Sequence, residues 1–162
     1  MAVTGGASWW WRFLGGGDDA QTSVLSILRR RYVRERQNAV RYAQHAERMQ
    51  YPQFRDALNR MADEEGKHAD ALAAKIKSLG ERPPDVTPVH VSKEQNSWHY
   101  IKTDLEEAQR GADDLQDELP VVAAAFPDIA NLFERIESDG KRHRAQLRDM
   151  LARSDPQSLG PP

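Results

Sequence analysis

The sequence contains a second copy of one of its own helices. Tyr51 to Leu72 (Y-P-Q-F-R-D-A-L-N-R-M-A-D-E-E-G-K-H-A-D-A-L) lies over Phe126 to Leu147 (F-P-D-I-A-N-L-F-E-R-I-E-S-D-G-K-R-H-R-A-Q-L) at an offset of 75 positions, without a gap. Pro52 meets Pro127, Phe54 meets Ile129 and Leu58 meets Phe133. Arg60 meets Arg135, His68 meets His143 and Leu72 meets Leu147. Any two amphipathic helices would match at apolar positions. The shared aromatic-proline start and the shared histidine are harder to obtain by chance. The expected unit is therefore a helical hairpin present twice.

Periodicity fills in the rest. Leu25, Leu28, Tyr32, Glu35, Ala39, Tyr42, Ala46 and Met49 recur in steps of three and four, the spacing of one buried helix face. Pro52 marks a break and suits the first position of a new helix. The second helix runs to about Leu79 with the stripe Phe54, Leu58, Met61, Glu65, His68, Leu72 and Ile76; Gly80 fits its stop. Ser92 opens S-K-E-Q, a capping-box pattern, ahead of a third helix carrying Trp98, Ile101, Leu105, Ala108, Ala112, Leu115 and Leu119. Pro120 is expected to disturb its end. The fourth starts near Pro127 and carries Ile129, Phe133, Ile136, Gly140, His143, Leu147 and Met150. Val86, Val89 and Val91 alternate, but Pro88 interrupts them, so no strand is expected.

The fold class is all-α, a four-helix bundle of two hairpins spanning residues 23–153, with tails at 1–22 and 154–162. The connector at 80–92 is Pro-rich and extended, with a reach of roughly 40 Å. A helix of the second one's length is also roughly 40 Å long. The connector is long enough to cross the bundle and set the third helix parallel to the second, where a simple turn needs far fewer residues.

Composition narrows the function. With 23 Lys and Arg against 25 Asp and Glu, the chain is not an evident nucleic-acid binder. Cysteine is absent, which excludes disulfide frameworks, iron–sulfur ligation and Cys-based zinc sites, and fits a cytoplasmic location. No stretch approaches the roughly 18 apolar residues of a membrane span. No Ser-His-Asp set, phosphate loop or dinucleotide fingerprint is visible.

The informative residues are polar ones on apolar stripes. Glu65 and His68 stand three apart on the core face of the second helix. His143 shares that position on the fourth, Glu35 lies on the stripe of the first, and Glu107 borders that of the third. A buried carboxylate costs several kcal/mol unless paired or ligated. Carboxylates and imidazoles converging from four helices suit a transition metal, iron or manganese above all. A metal-free network of the same residues is the alternative.

At these residues the chain resembles the ferritin-like superfamily, in its rubrerythrin and bacterioferritin style. The resemblance covers most of residues 25–151, and E-E-G-K-H (Glu64 to His68) is its most specific piece. It implies a diiron-type fold in which each hairpin offers one Glu and one Glu-x-x-His. By that resemblance Glu65, His68, Glu107 and His143 are metal ligands. The second motif departs, reading Gly140-Lys141-Arg142-His143, with Asp139 as a shorter substitute. The repeat sets Tyr32 against Glu107, whereas alignment on the stripes sets Glu35 against Ala108. The register of the first and third helices therefore stays open, and so does the choice among a lopsided, mononuclear or vestigial site. The implied activity is iron binding and oxidation, or oxygen- or peroxide-linked redox chemistry, with homodimerisation. Tyr32 or Tyr42 are candidate redox neighbours.

The competing reading is a non-catalytic ferritin-like module, serving as adaptor, cargo or structural subunit. It would dock to a protein partner, a shell or a membrane surface through Trp9, Trp10, Trp11, Phe13 and Leu14, which hold three of the four tryptophans between glycines. A disordered or folded-back tail is the plainer alternative. The apolar run is too short and too interrupted by Arg12 for a signal peptide. Arg29, Arg30, Arg31, Arg34 and Arg36 read mainly as a solvated face. His45, His90 and His99 read as ordinary surface or packing residues. Gly111 and Gly140 each weaken a helix by about 1 kcal/mol relative to Ala, and close packing would justify them.

Overall fold

A computed structural model describes residues 17–157 apart from Glu94. The expectations for the tryptophan segment lie outside the described residues. Four helices are present among the described residues: α1 (Gly17–Glu47), α2 (Pro52–Ser78), α3 (Ser97–Ala125) and α4 (Pro127–Ala152). No strand occurs among the described residues. Among the described residues no helix is long and apolar enough to cross a membrane.

The internal repeat has a structural counterpart at both starts. α2 and α4 each begin with proline just inside the helix, after Tyr51 and Phe126. Proline is preset for that position, and its missing N–H is not needed there. α2 ends in a Schellman arrangement. Gly80 N–H donates to Lys77 O, Glu81 N–H donates to Ile76 O, and Gly80 takes a φ of 83°, which glycine reaches without strain.

Three local expectations are corrected. α1 starts at Gly17 rather than near Thr22, and Asp19 in its first turn complements the helix dipole. α3 is not capped from Ser92: the connector stays extended, and the Asn96 side chain accepts the His99 N–H at 3.1 Å. α3 also continues through Pro120 to Ala125, its last turns held by Val122 in the core. Its buried face is rotated from the expected stripe. Tyr100, Asp104, Gly111, Glu118 and Val122 are buried with Ile101 and Leu115, while Trp98, Leu105, Ala108, Ala112 and Leu119 are half-buried. Arginines from α1 neutralise Asp104 and Glu118, so that polar face can turn inward.

The crossover follows from the ion pairs. Arg31 meets Glu118, Arg34 meets Asp114, and Arg41 meets Asp104. Numbers rise along α1 as they fall along α3, so these helices are antiparallel. The tight turn between α1 and α2 makes them antiparallel too, which leaves α2 and α3 parallel. The connector climbs beside α1: Glu81 pairs with Arg29, and Thr87 O accepts from Gln37 at 3.4 Å.

The core is divided. One apolar cluster gathers Leu28, Leu72, Ile76, Val122 and Phe133; another gathers Met49, Phe54, Leu58, Met61, Ile101 and Leu147. Between them sits a layer of buried polar side chains, among them Arg31, Glu35, Asn38, Glu65, His68 and His143.

Candidate metal centre

α1 and α2 bring Glu35, Glu65 and His68 together. One ligating atom from each lies within 4.8 Å of the others, and all three residues are buried. His68 Nδ1 is 3.6 Å from Glu35 Oε2, too long for a hydrogen bond. Both atoms are buried without any hydrogen-bond partner. An unsatisfied buried polar atom costs about 1–3 kcal/mol, so two facing one another need a reason. A cation between them supplies one. Two carboxylates and an imidazole form a donor set that suits iron or manganese, so the residues fit the group.

The outer side of the cluster is tied down. His68 Nε2 donates to Asp139 Oδ2 at 2.9 Å, which turns Nδ1 inward. Asp139 is therefore the anchor of His68, not a replacement for the carboxylate missing at Gly140. His143 has both nitrogens engaged, Nε2 with Glu64 Oε2 at 2.6 Å and Nδ1 with Glu65 Oε1 at 2.9 Å. Arg142 bridges Asp139 and Glu64, each at 2.8 Å. Burial works against both acids, yet their histidine and arginine partners hold them below ordinary carboxylate values.

The inner carboxyls behave differently from one another. Burial and the adjacent Glu35 charge push Glu65 well above its usual range. Burial also pushes Glu35 upward, but neighbouring Glu65, His68 and the Arg31 charge pull it below. The two carboxyls are thus driven apart, Glu65 toward its neutral form and Glu35 toward its charged one. Burial disfavours the His68 cation, but Glu35 and Asp139 outweigh it and raise its pKa.

Glu107 stands apart. It pairs with Arg110 and approaches Arg34 at 4.0 Å. Ala108, Gly111 and Ala112 present the α3 wall instead, beside a cavity of about 40 Å³ bounded by Glu35, Tyr42, Glu65, Gly140 and His143. Tyr42 is buried, and its ring meets His143 edge-on; Tyr32 is half-buried at the apolar end, under Arg36.

Sequence reasoning did not single out Asn38, Arg41, Asp104 or Glu118, and it placed Arg31 on the solvated face. Arg31 is buried and pairs with Glu118 at 2.6 Å and with Glu35 at 3.8 Å. Its position four before Glu35 was the available signal. Asn38 Nδ2 lies 3.5 Å from Glu65 Oε2, and Asn38 Oδ1 accepts from Arg41, which in turn holds Asp104. His45 is buried as a packing residue, its Nδ1 2.7 Å from Asp104.

Two antiparallel hairpins, joined by a crossover and closed around a carboxylate–histidine cluster, define a ferritin-like four-helix bundle. A family model described as Rubrerythrin matches residues 26–151, so the chain belongs to the rubrerythrin family. Among solved structures it is similar to the Desulfovibrio desulfuricans bacterioferritin, whose diiron site was described in different catalytic states. The TM-score is 0.75 at 21% identity, covering 84% of this chain and 82% of that one. No curated protein sequence matches.

Proposed function

We propose that this protein binds iron, or manganese in its place, on Glu35, Glu65 and His68, and acts as an oxidoreductase toward a small oxidant such as oxygen or peroxide. The observation that carries this reading is the facing pair of buried atoms without hydrogen-bond partners among the described residues, Glu35 Oε2 and His68 Nδ1. When bound, the metal supplies redox chemistry and open coordination positions for the oxidant.

The chain's own residues prepare that place. Asp139 fixes the ring of His68 so that Nδ1 faces inward. With a cation bound, Glu65 would be ionised, its proton lost to solvent, and its two oxygens lie beside Asn38 and His143. Arg31 stays against Glu35. The adjoining cavity of about 40 Å³ admits a few water-sized molecules and little more. The two apolar clusters close the layer from above and below.

Metal analysis of untagged protein, with ferrous iron oxidation followed by absorbance, tests the reading. Wild type is expected to hold metal stoichiometrically, and Glu65→Ala and His68→Ala to lose it while remaining helical. Wild type that neither binds nor oxidises ferrous iron overturns it.

A further inference from the structure

We propose that this centre is built for a single divalent cation, because the Arg31 guanidinium occupies the place from which a second would be held. The inference rests on the metal-binding reading above and specifies its stoichiometry.

The two hairpins are unequal in donors. The repeat maps Glu65 onto Gly140, so α4 offers no carboxylate there. Asp139 spends its oxygens on His68 and Arg142, and His143 has both nitrogens engaged by Glu64 and Glu65. α3 lines the cavity with Ala108, Gly111 and Ala112, and Glu107 turns to Arg110.

Arginines stand where those donors are missing. Arg31 is 3% exposed; its Nη1 donates to Gly111 O at 3.1 Å and lies 3.8 Å from Glu35 Oε1. A Cβ built on Gly111 would stand 3.4 Å from Arg34 Cδ and 3.8 Å from Arg31 Nη1. One built on Gly140 would stand 3.3 Å from Arg144 Nη1. Arg31 is also pinned through Nε and Nη2 to Glu118. A guanidinium cannot shed its proton to make room for a metal ion. It therefore fills that wall, beside Glu35, with a cationic group held by Glu118 that cannot ligate a second cation.

The test is titration of metal-free full chain with Mn²⁺ and, anaerobically, with Fe²⁺, combining binding stoichiometry with electron paramagnetic resonance of the manganese form. One Mn²⁺ per chain, with the hyperfine pattern of an isolated ion, is expected. Two per chain with exchange-coupled spectra overturn this inference and leave the metal reading standing. No bound ion of either kind refutes the metal reading and this one with it. Gly140→Glu alone is expected to stay at one ion, and Gly140→Glu with Arg31→Gln to take up a second. A single variant that binds two, or a folded double variant that still binds one, overturns the role given to Arg31. A double variant that fails to fold leaves the wild-type stoichiometry as the deciding measurement.

Discussion

Replacing Glu65 and Glu35 in turn by glutamine distinguishes two carboxyls of the same composition and nearly the same burial. In metal-free protein burial and the Glu35 charge favour the neutral form of Glu65. Glutamine has the shape of a protonated carboxyl and carries no charge. Glu65→Gln at about pH 6 is therefore expected to change metal-free stability by no more than about 0.5 kcal/mol. Glu35 is the ionised member, facing both Arg31 and His68. Removing one partner of a buried ion pair costs about 3–5 kcal/mol. Arg31 keeps Glu118, so Glu35→Gln is expected to cost less, about 2 kcal/mol. With a urea slope near 2 kcal/mol/M, the midpoint falls by about 1 M. Added Mn²⁺ at about a hundred times its Kd stabilises wild type by about 2.7 kcal/mol, and neither variant gains this. Urea titrations of three proteins, with and without Mn²⁺, provide the assay. Equal losses for both variants in the metal-free state would falsify this division between a neutral and a charged carboxyl.

Other outcomes follow from the same geometry. Because His68 and Glu65 both have raised pKa values, metal must displace protons from them. Affinity is expected to rise with pH through the folded values, with proton release measurable by calorimetry in buffers of different ionisation enthalpy. In metal-free protein the His68 contribution has the opposite sign. It is fully present below about 6.5, the unfolded value, and is lost as pH rises through the folded one, visible in urea midpoints across pH. Asp139→Ala removes the acceptor that orients His68 and is expected to weaken Mn²⁺ binding about 10–100-fold in titration, with the helical signal unchanged. Asp104→Asn leaves Arg41 buried without its charge partner and is expected to cost about 3–5 kcal/mol by denaturation.

The repeat, the helix class and the long connector were legible because each depends on local spacing. Apolar residues three and four apart define a helix face, and proline and glycine mark its ends, without reference to anything distant. Glu65 and His68 were legible for the same reason: both lie on a face that has to be buried.

The rotation of α3 was not legible, because alternative stripes on that helix differ by one residue and both contain apolar side chains. Trp98, Leu105 and Leu119 argued for one face, and Asp104 and Glu118 were turned into the other only by Arg41 and Arg31 on a separate helix. That rotation carried Glu107 outward and brought Gly111 inward. Separately, the packing of α1 on α2 set Glu35 beside His68.

By itself, then, the sequence determined two related hairpins, a crossover long enough to join them in parallel, and an acid and an imidazole committed to the interior. Tertiary structure alone decided which acids meet, that Asp139 anchors His68, and that Arg31 is buried rather than solvated. Helix periodicity is encoded within a few residues, whereas the pairing of a buried charge depends on partners as far as 87 positions away along the chain.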